Sequence, residues 1–306
     1  MSRQVRVFAP GSIGNVGPGL DILGLAVGGL GDVVTAERTE SPGVIIDEPG
    51  HPALPSDPAR HTSGIAAGEV LLRSGARFGL RLRIDKGLPL CGGQGGSAAS
   101  AVAGAVAANL LLDRPLPERT LLLAALEAEA RVAGRHADNV APILLGGLVL
   151  IQSLDPLEVI RLPVPAVLRL VLAHPDRSMP TRQARAVLPS SIPLQVALHQ
   201  AAQVAAIVAA AHSGDLTVLG RAIDDRIAEP ARAPLLEGFR EAKQAALSAG
   251  ALGCSISGSG PTIFAIAGDD RTAIRVAEAM AQAYKRGGIA CGIRIAVPDL
   301  EGARQS

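Results

Sequence analysis

Four short stretches of the sequence have residue types and spacings that suit binding of a phosphate group and a small polar molecule. An asparagine and an aspartate lie among glycines in APGSIGNVGPGLDILG (9–24), and four glycines precede alanines in PLCGGQGGSAA (89–99). HADNVAP (136–142) groups a histidine, an aspartate and an asparagine, and ISGSGPT (256–262) joins two β-like runs. Taken singly, the first and last stretches are also typical of ordinary turns.

The glycine-rich stretch lies between a predicted strand, FGLRLRID (78–85), and a predicted helix from about Ala98. Glycines let the backbone approach a phosphate closely, and the unpaired N–H groups of a helix N-terminus attract anions. The stretch lacks the GK[ST] ending of a Walker A motif and is not a GxGxxG dinucleotide motif. By itself it leaves a phosphate loop and a surface turn as alternatives. Ser97 could cap the helix or contact a magnesium ion.

Composition excludes several other classes of function. The chain has 306 residues, enough for two domains; 48% are hydrophobic, only 2% are aromatic, and the net charge is +1. With few aromatic residues for base stacking and no basic run, we expect no nucleic-acid partner. The three cysteines form neither a disulfide framework nor a CxxC metal motif, and they indicate a reducing compartment.

No apolar signal segment is visible at the N-terminus. The apolar stretches near 98–112 and 196–211 consist mostly of alanine, and we interpret them as buried helices rather than membrane spans. The sequence therefore predicts a cytoplasmic protein that does not associate with a membrane.

The pattern of strands and helices restarts once along the chain. A strand is predicted at 4–9, and two strands about a glycine turn are predicted in 25–38. The pattern begins again with the strand VLRLVLAHP (167–175), and a later helix is predicted over 234–250. We therefore expect a domain boundary near residue 155.

Together and in this order, the first stretch, the glycine-rich stretch and ISGSGPT resemble the GHMP kinases, which phosphorylate small metabolites with ATP. The phosphate loop of that superfamily has the pattern P-x-x-x-G-L-G-S-S-A-A. Gly93, Gly95 and Ser97 match it. Gln94 replaces the usual leucine, and Gly96 replaces the first serine.

A more specific resemblance is to the homoserine kinases within this superfamily. The first stretch is similar to their motif P-A-T-S-A-N-L-G-P-G-F-D-x-x-G, and HADNVAP is similar to H-x-D-N-x-A-P. TRQARAVLP (181–189) and EPARAPLLEGF (229–239) also resemble segments of that family. The matches extend from residue 5 to about residue 267 and so cover most of the chain.

The resemblance implies an α+β protein with the two-domain GHMP kinase fold. Residues 1–155 would form an N-terminal ATP-binding domain with a left-handed βαβ phosphate loop, and residues 156–306 a C-terminal ferredoxin-like domain. The implied activity is ATP-dependent phosphorylation of the side-chain hydroxyl of L-homoserine to O-phospho-L-homoserine, in threonine biosynthesis. ATP and Mg²⁺ would be the cofactors, and the protein would be a homodimer.

The resemblance also implies which residues bind each ligand. A carboxylate is needed for the ammonium of homoserine and an arginine for its carboxylate. The substrate-binding residues would be Asn15, Asp21, His136, Arg185 and Arg232. Mg²⁺ would be bound by Ser97 and Glu129, with Glu127 as the alternative carboxylate. The nucleotide phosphates would be bound by Pro89, Leu90, Cys91, Gly92, Gly93, Gln94, Gly95, Gly96, Ser97, Ala98 and Ala99.

Asn139 and Thr181 would lie at the site of transfer. Because an asparagine cannot accept a proton, we expect catalysis by positioning and electrostatics rather than by a base at that place. His61 stands near the position where relatives often have an asparagine for adenine, so the base pocket is unassigned.

Two other functions are compatible with parts of the sequence. Another GHMP kinase, with a mevalonate-type or sugar substrate, would keep the phosphate loop but would not need Asp21 together with two arginines. A non-catalytic nucleotide-binding protein would account for Gln94 and Gly96. ATP turnover with and without homoserine distinguishes the three.

Overall fold

The computed structural model describes residues 4–132 and 134–306, which form two β-sheets and the helices packed on them. The strands are β1 (Gln4–Gly14), β2 (Leu23–Thr39), β3 (Gly43–Glu48), β4 (Gly79–Asp85), β5 (Leu148–Leu154), β6 (Leu157–Leu162), β7 (Arg169–Pro175), β8 (Gly253–Ile256), β9 (Ile263–Ala267), β10 (Cys291–Ala296) and β11 (Arg304–Gln305). The helices are α1 (Thr62–Ser74), α2 (Gly96–Leu110), α3 (Glu118–Val132), α4 (Ala137–Leu145), α5 (Thr181–Ala186), α6 (Leu194–Ser213), α7 (Leu216–Arg221), α8 (Ala228–Arg232), α9 (Phe239–Ser248) and α10 (Asp270–Arg286).

Within the described residues, the first sheet has the strand order β11-β1-β2-β4-β3, and the β5–β6 hairpin pairs with the start of β2. β3 and β4 are parallel and are joined through α1, which forms a βαβ unit; its hand stays a prediction. Along β4, Leu80, Leu82 and Ile84 are buried and the residues between them are exposed, as expected for a strand with one face on the core. α1, α2 and α3 cover that face.

β2 is one long strand, so the prediction of two strands about a glycine turn is wrong. β1 pairs with β2 along its length, but the register shifts where Pro10 pairs with Gly31 and Gly11 pairs with Val27. Residues 28–30 therefore bulge from the ladder. Glycines favour such a bulge, and a proline, which has no N–H to donate, is tolerated beside one.

α9 begins at Phe239, whereas the sequence predicted one helix over 234–250. Gly238 has a φ of +77°, and a Cβ at this position would lie 2.9 Å from Tyr284 Cε1. The left-handed residue interrupts the helical path, and only the part after it is an α-helix.

The second sheet has the order β10-β7-β9-β8 and is antiparallel throughout. Numbered within this half of the chain, the order is 4-1-3-2, which is the ferredoxin-like arrangement. α9 and α10 cover one face, with Phe239, Met280 and Tyr284 in the core between them. The predicted α+β fold with a ferredoxin-like C-terminal part is confirmed.

The other face of the second sheet shares a core with the first sheet. Leu170, Leu172 and Phe264 pack in one cluster with Ile13 and Leu23 of the N-terminal half. Above this shared core, the end of β1 contacts the turn between β8 and β9, because the backbone N–H of Gly258 donates to Gly14 O at 3.1 Å.

The predicted boundary at residue 155 falls in the turn between β5 and β6. β6 pairs with β5 and so extends the first sheet to Leu162. β11, near the C-terminus, returns to pair with β1. The division into 1–155 and 156–306 stays a prediction. By strand pairing, the first sheet includes β6 and β11, which both lie after residue 155. A change of sequence pattern marks where a new run of elements begins but does not show which strands pair.

We expect Phe264→Ala to lower the free energy of unfolding by about 3–5 kcal/mol, because the fully buried ring leaves a cavity between the sheets. Denaturant unfolding followed by circular dichroism measures the change. Leu72→Ala, on the outer face of α1 where the side chain is 74% exposed, is the control and should change it by less than about 0.5 kcal/mol. Equal effects of the two substitutions would contradict a shared core.

Candidate active site

The loop between β4 and α2, residues 86–95, has glycines at positions where a side chain would not fit. Gly93 and Gly95 have φ values of +74° and +72°. A Cβ at Gly93 would lie 2.5 Å from Ser257 O, and one at Gly95 would collide with Ser12 Oγ. α2 begins directly after Gly95 without a side-chain cap. The N–H groups of its first turn are therefore available to an anion.

A buried ion pair that the sequence analysis missed fixes both ends of this loop. Lys86 forms a salt bridge with Asp32, and both side chains are almost completely buried. The ammonium also donates to Gly96 O at 2.8 Å and Ser100 Oγ at 3.0 Å, and Asp32 Oδ1 accepts the next two backbone N–H groups after the lysine, each at 3.2 Å. The loop entrance is thereby held to the first turn of α2.

Ser97 and Glu129, the expected metal ligands, lie together at this end of α2. Ser97 Oγ donates to Glu129 Oε2 at 3.1 Å. Glu129 Oε1 is buried and has no hydrogen-bond partner among the described residues. Burial raises the pKa of Glu129 to about 7, although the hydrogen bond from Ser97 acts in the opposite direction. An unpaired buried carboxylate oxygen beside a hydroxyl fits Mg²⁺, which takes oxygen ligands.

Glu127, the alternative metal ligand, lies on the outer side of α3. It forms a 3.1 Å salt bridge with Arg131, and its side chain is 44% exposed. Within the described part of the chain, no group of three or more His, Cys, Asp or Glu residues could hold a metal ion. A magnesium ion at Ser97 and Glu129 would therefore depend on phosphate oxygens and water for its other ligands.

Asp21, Arg185 and His136 come together in a second group. Arg185 donates to both oxygens of Asp21, at 2.7 and 3.0 Å, and His136 Nδ1 lies 3.5 Å from Asp21 Oδ1. Burial acts to raise the pKa of Asp21, but the hydrogen bond from Arg185 and the surrounding positive charges hold it below its ordinary value. All three side chains are partly exposed, so a small ligand can reach them.

Arg232 belongs to the same group and is almost completely buried. Its Nε donates to Ala184 O at 3.1 Å, and its Nη1 donates to Gly258 O at 2.8 Å. Burial lowers its pKa, and the neighbouring charge of Arg185 lowers it further. Two guanidinium groups close to one aspartate leave an excess of positive charge, which favours a ligand with a carboxylate.

Asn15 lies in the first motif, with a φ of +68°. Its Nδ2 donates to Gly258 O at 3.0 Å, and its Oδ1 accepts from the backbone N–H of Asp21 at 3.1 Å. The side chain thus fixes the backbone that carries Asp21. Direct contact of Asn15 with a substrate stays a prediction.

Asn139 lies between the phosphate loop and the substrate group. Its Oδ1 accepts a hydrogen bond from Ser12 Oγ at 2.9 Å and would be 3.3 Å from a Cβ on Gly95. A side chain at this place can contact a substrate hydroxyl that approaches the loop.

Asp138 is a buried residue of this region that the sequence analysis did not assign. Its Oδ2 accepts from the backbone N–H of Asn15 at 3.1 Å, and its Oδ1 lies 3.4 Å from Asn139 Nδ2. Burial, together with the negative charge of Asp21, raises its pKa to about 7. The motif HADN does not indicate whether its aspartate is buried or exposed, so the sequence could not predict the burial of Asp138.

Thr181 is the first residue of α5, and Arg185 lies one turn later. The segment before the helix is joined to the phosphate loop, because the backbone N–H of Met179 donates to Cys91 O at 3.1 Å. α5 therefore runs from the phosphate loop to the substrate group and places Thr181 at its loop end.

The turn at residues 257–262 closes the phosphate loop from the second sheet, as expected from the sequence. Ser257 Oγ donates to Gly93 O at 2.6 Å, and Thr262 Oγ1 donates to Gly92 O at 2.5 Å. His174, which the sequence analysis missed, has its Nδ1 2.9 Å from Thr262 Oγ1. Because that hydroxyl already donates to the loop, the histidine nitrogen is the donor in this contact.

Gln94, which replaces the usual leucine, connects the phosphate loop to the second sheet. Its Nε2 donates to Thr262 Oγ1 at 3.2 Å, and its Oε1 accepts from Arg294 Nη2 at 3.3 Å. Arg294 also donates to Gly28 O at 2.6 Å, so it joins β10, the β2 bulge and the loop. Gly96, which replaces the usual serine, is not required by space, because the nearest atoms would lie 3.4 Å from a Cβ at this position.

His61 caps α1 and offers no free group to a nucleotide base. Its Nδ1 accepts from the backbone N–H of Ser63 at 3.2 Å, and its Nε2 donates to Pro49 O at 3.3 Å. The ring is buried, which lowers its pKa and favours the neutral cap. His61 therefore does not identify the adenine pocket, whose residues stay unassigned.

Comparisons with known proteins agree with this geometry. Residues 62–147 match the family model "GHMP kinases N terminal domain", and residues 206–286 match "GHMP kinases C terminal". The chain is similar to homoserine kinase of Chlorobium phaeobacteroides, with 43% identity over 295 residues and 92% of each chain covered. It is 44% identical to homoserine kinase of Arabidopsis thaliana over 290 residues, which cover 92% of this chain and 78% of the relative.

A solved structure, a homoserine kinase from Cytophaga hutchinsonii, superposes on the chain with a TM-score of 0.95 and 40% sequence identity. The superposition covers 99% of this chain and 97% of that one. The similarity therefore includes both sheets and the loops between them.

We expect the Gln94–Arg294 hydrogen bond to appear as non-additivity in a double-mutant cycle. Each of Gln94→Leu and Arg294→Met removes the same bond, which is worth about 1.5–3 kcal/mol when one partner is charged. The double variant should therefore lose less free energy of unfolding than the sum of the single losses. Denaturant unfolding measures all four proteins, and additive losses would show that the two side chains are not coupled.

Proposed function

The chain belongs to the homoserine kinase family of the GHMP kinases, and we propose that it transfers the γ-phosphoryl group of ATP to the side-chain hydroxyl of L-homoserine. The products are ADP and O-phospho-L-homoserine, an intermediate of threonine biosynthesis. The observation that carries this proposal is the ion pair of Asp21 with Arg185, close to the buried charge of Arg232 and beside a phosphate loop. An amino acid presents the complementary charges, an ammonium and a carboxylate.

The charges suggest how homoserine lies in the site. Its ammonium pairs with Asp21, with His136 beside it, and its carboxylate takes over the hydrogen bonds that Arg185 otherwise gives to Asp21. Arg232 adds a second positive charge to the carboxylate end. The side-chain hydroxyl then points away from the charged group, towards Asn139 and the phosphate loop.

The phosphate loop and α2 bind the β- and γ-phosphates through backbone N–H groups and the helix N-terminus. Ser97 and Glu129 would hold Mg²⁺, which would neutralise the phosphate charge. Asn139 orients the hydroxyl, and Thr181 lies at the loop end of α5 near the transferred group. Catalysis rests on positioning and electrostatics, and the hydroxyl proton leaves late, to phosphate or solvent.

The two alternative functions account for fewer of these features. A sugar has neither an ammonium nor a carboxylate, and a mevalonate-type substrate has no ammonium for Asp21. A non-catalytic nucleotide-binding protein needs neither the substrate group nor the unpaired Glu129 oxygen. Gln94, which favoured that alternative, has its own hydrogen-bond partners on the second sheet.

The proposal also covers the compartment, the partners and the oligomeric state of the enzyme. We place it in the cytoplasm, with no nucleic-acid or membrane partner, and as a homodimer. The composition and the family resemblance support these assignments.

Glu129→Gln should reduce kcat by about 100-fold or more, because loss of a charged magnesium ligand removes several kcal/mol of transition-state stabilisation. Glu127→Gln is the matched control on the same helix and should retain nearly full activity, since Glu127 pairs only with an exposed arginine. Steady-state kinetics with varied Mg²⁺ measures both. The reverse ranking would assign the metal to Glu127.

Arg232→Ala should lower kcat/KM for homoserine by about 10–100-fold, from the 1.5–3 kcal/mol of a charge-assisted hydrogen bond. The affinity for ATP should change little. Arg182→Ala, at an exposed arginine of α5, is the matched control and should leave both unchanged. A circular dichroism melt verifies that the Arg232 variant is folded, because Arg232 also bonds to two backbone carbonyls.

A homoserine ester tests the same contact from the substrate. Esterification removes the negative charge that the arginines bind, so the ester should be a poor acceptor for the wild type. Its disadvantage relative to homoserine should be smaller for Arg232→Ala, because that variant has already lost one of the two arginines that bind the carboxylate. Equal use of ester and homoserine by the wild type would leave a GHMP kinase with an unidentified acceptor.

A further inference from the structure

Four consecutive carbonyls of the phosphate loop, at residues 91–94, accept hydrogen bonds from other parts of the chain. The donors are the backbone N–H groups of Met179 and Ser12 and the hydroxyl groups of Thr262 and Ser257. In a trans peptide the next N–H points the opposite way from the carbonyl, so the N–H groups of residues 92–95 point away from these donors. The direction of the four carbonyls therefore determines how the loop presents its N–H groups to a phosphate.

The fully buried hydroxyl of Thr262 holds the second of these carbonyls, Gly92 O. A hydroxyl has one proton to donate and two lone pairs that accept, and it can rotate about its C–O bond. His174 Nδ1 lies 2.9 Å from this oxygen, and Gln94 Nε2 lies 3.2 Å from it. When both nitrogens donate, both lone pairs are occupied, and the proton is left to point at Gly92 O, 2.5 Å away.

Arg294 determines which end of the Gln94 amide faces this hydroxyl. A guanidinium can only donate, and Arg294 Nη2 lies 3.3 Å from Gln94 Oε1. Because the amide oxygen accepts from Arg294, the amide nitrogen is the end that faces Thr262. The leucine that the phosphate-loop pattern usually has at this position has no group to donate. The second donor to the hydroxyl is therefore a departure of this chain from that pattern.

His174, at the end of β7, packs its ring against the phosphate loop. A Cβ on Gly92 would lie 3.1 Å from His174 Cε1. Burial lowers the pKa of the imidazole, although the charge of Asp176 acts in the opposite direction. A neutral imidazole carries its proton on one nitrogen only. Because the Thr262 proton is already given to Gly92, the imidazole proton belongs on Nδ1.

We propose that His174 and Gln94 are positioning residues for the nucleotide, which lock the Thr262 hydroxyl onto Gly92 O and so keep the N–H groups of the loop turned towards the phosphates. Both side chains act through Thr262 rather than on the phosphates themselves. ATP as the bound anion comes from the proposed function, on which this role rests. The directions of the hydrogen bonds do not depend on it.

Titration calorimetry with Mg²⁺ and β,γ-imido-ATP measures the effect on nucleotide affinity without turnover. His174→Leu removes a donor and should raise the Kd by about 2–10-fold, the range that one neutral hydrogen bond supplies. His174→Asn places an amide N–H near the position of Nδ1 and should restore most of the affinity. His212→Leu, at an exposed histidine of α6, is the matched control and should leave the Kd unchanged. Equal affinities of the wild type and His174→Leu would overturn the proposal.

A double-mutant cycle shows whether the histidine acts through the threonine. Thr262→Val removes the hydroxyl at similar side-chain size and should raise the Kd for the nucleotide at least as much as His174→Leu does. In the Thr262→Val background, His174→Leu should cause little further change, because the hydroxyl that it orients is already absent. Independent effects of the two substitutions would show that His174 acts in another way and would overturn the proposal.

The affinity for homoserine separates this role from a general loss of structure. The hydrogen bonds between Asp21 and Arg185 do not involve His174, so His174→Leu should leave the Kd for homoserine unchanged. Equal losses of affinity for homoserine and for the nucleotide would indicate a distorted cleft and overturn the proposal. A wild type that binds no nucleotide would overturn the proposed function as well, whereas nucleotide binding that does not respond to His174 would overturn this role alone.

The position of the imidazole proton can be measured without any ligand. Long-range proton–nitrogen NMR at neutral pH distinguishes the two nitrogens of each ring, and loss of one signal set in His174→Asn identifies His174 among the six histidines. We expect the proton on Nδ1. A proton on Nε2 alone would make Nδ1 an acceptor, so that the Thr262 hydroxyl could donate to the histidine instead of to Gly92, and this result would overturn the proposal.

Discussion

Two hydroxyl groups of the 257–262 turn, those of Ser257 and Thr262, hold the phosphate loop in place, and the geometry of the site depends on them. Ser257 and Thr262 donate to the carbonyls of Gly93 and Gly92. On the same turn, Gly258 O accepts hydrogen bonds from Asn15 and Arg232. One short turn of the second sheet therefore sets the distance between the phosphate end and the substrate end of the cleft, and the shared apolar core beneath it resists any separation of the two.

The burial of charged groups in this cleft determines their pKa values. Burial raises the pKa values of Glu129 and Asp138 to about 7 and lowers that of Arg232, so these groups are costly to hold without their ligands. Asp21 and Arg185 form a partly exposed ion pair, and Arg185 Nε is buried without a partner among the described residues. A magnesium ion at one end and an amino acid at the other would complete the charges that the fold leaves unbalanced.

Local features of this site were predictable from sequence, and long-range ones were not. The glycine loop, Ser97 and the residues of the four motifs depend on spacing within a few positions, and the structure brings them to one cleft. Asp32 and Lys86 are 54 positions apart, and Gln94 and Arg294 are 200 apart, so no local pattern connects them. The errors in β2 and α9 also involve distant residues: a bulge depends on the partner strand, and Gly238 is left-handed at a place where Tyr284 leaves no room for a side chain.

The central claim, that this cleft joins the phosphoryl group of ATP to an amino-acid hydroxyl, is tested most directly by identifying the product. The purified protein is incubated with ATP, Mg²⁺ and L-homoserine, and the mixture is followed by proton-coupled phosphorus NMR. The account predicts one new phosphate-ester signal, coupled to the side-chain methylene protons of homoserine, for each ADP released. Release of ADP at the same rate without homoserine, or phosphorylation of mevalonate or galactose in its place, would contradict it.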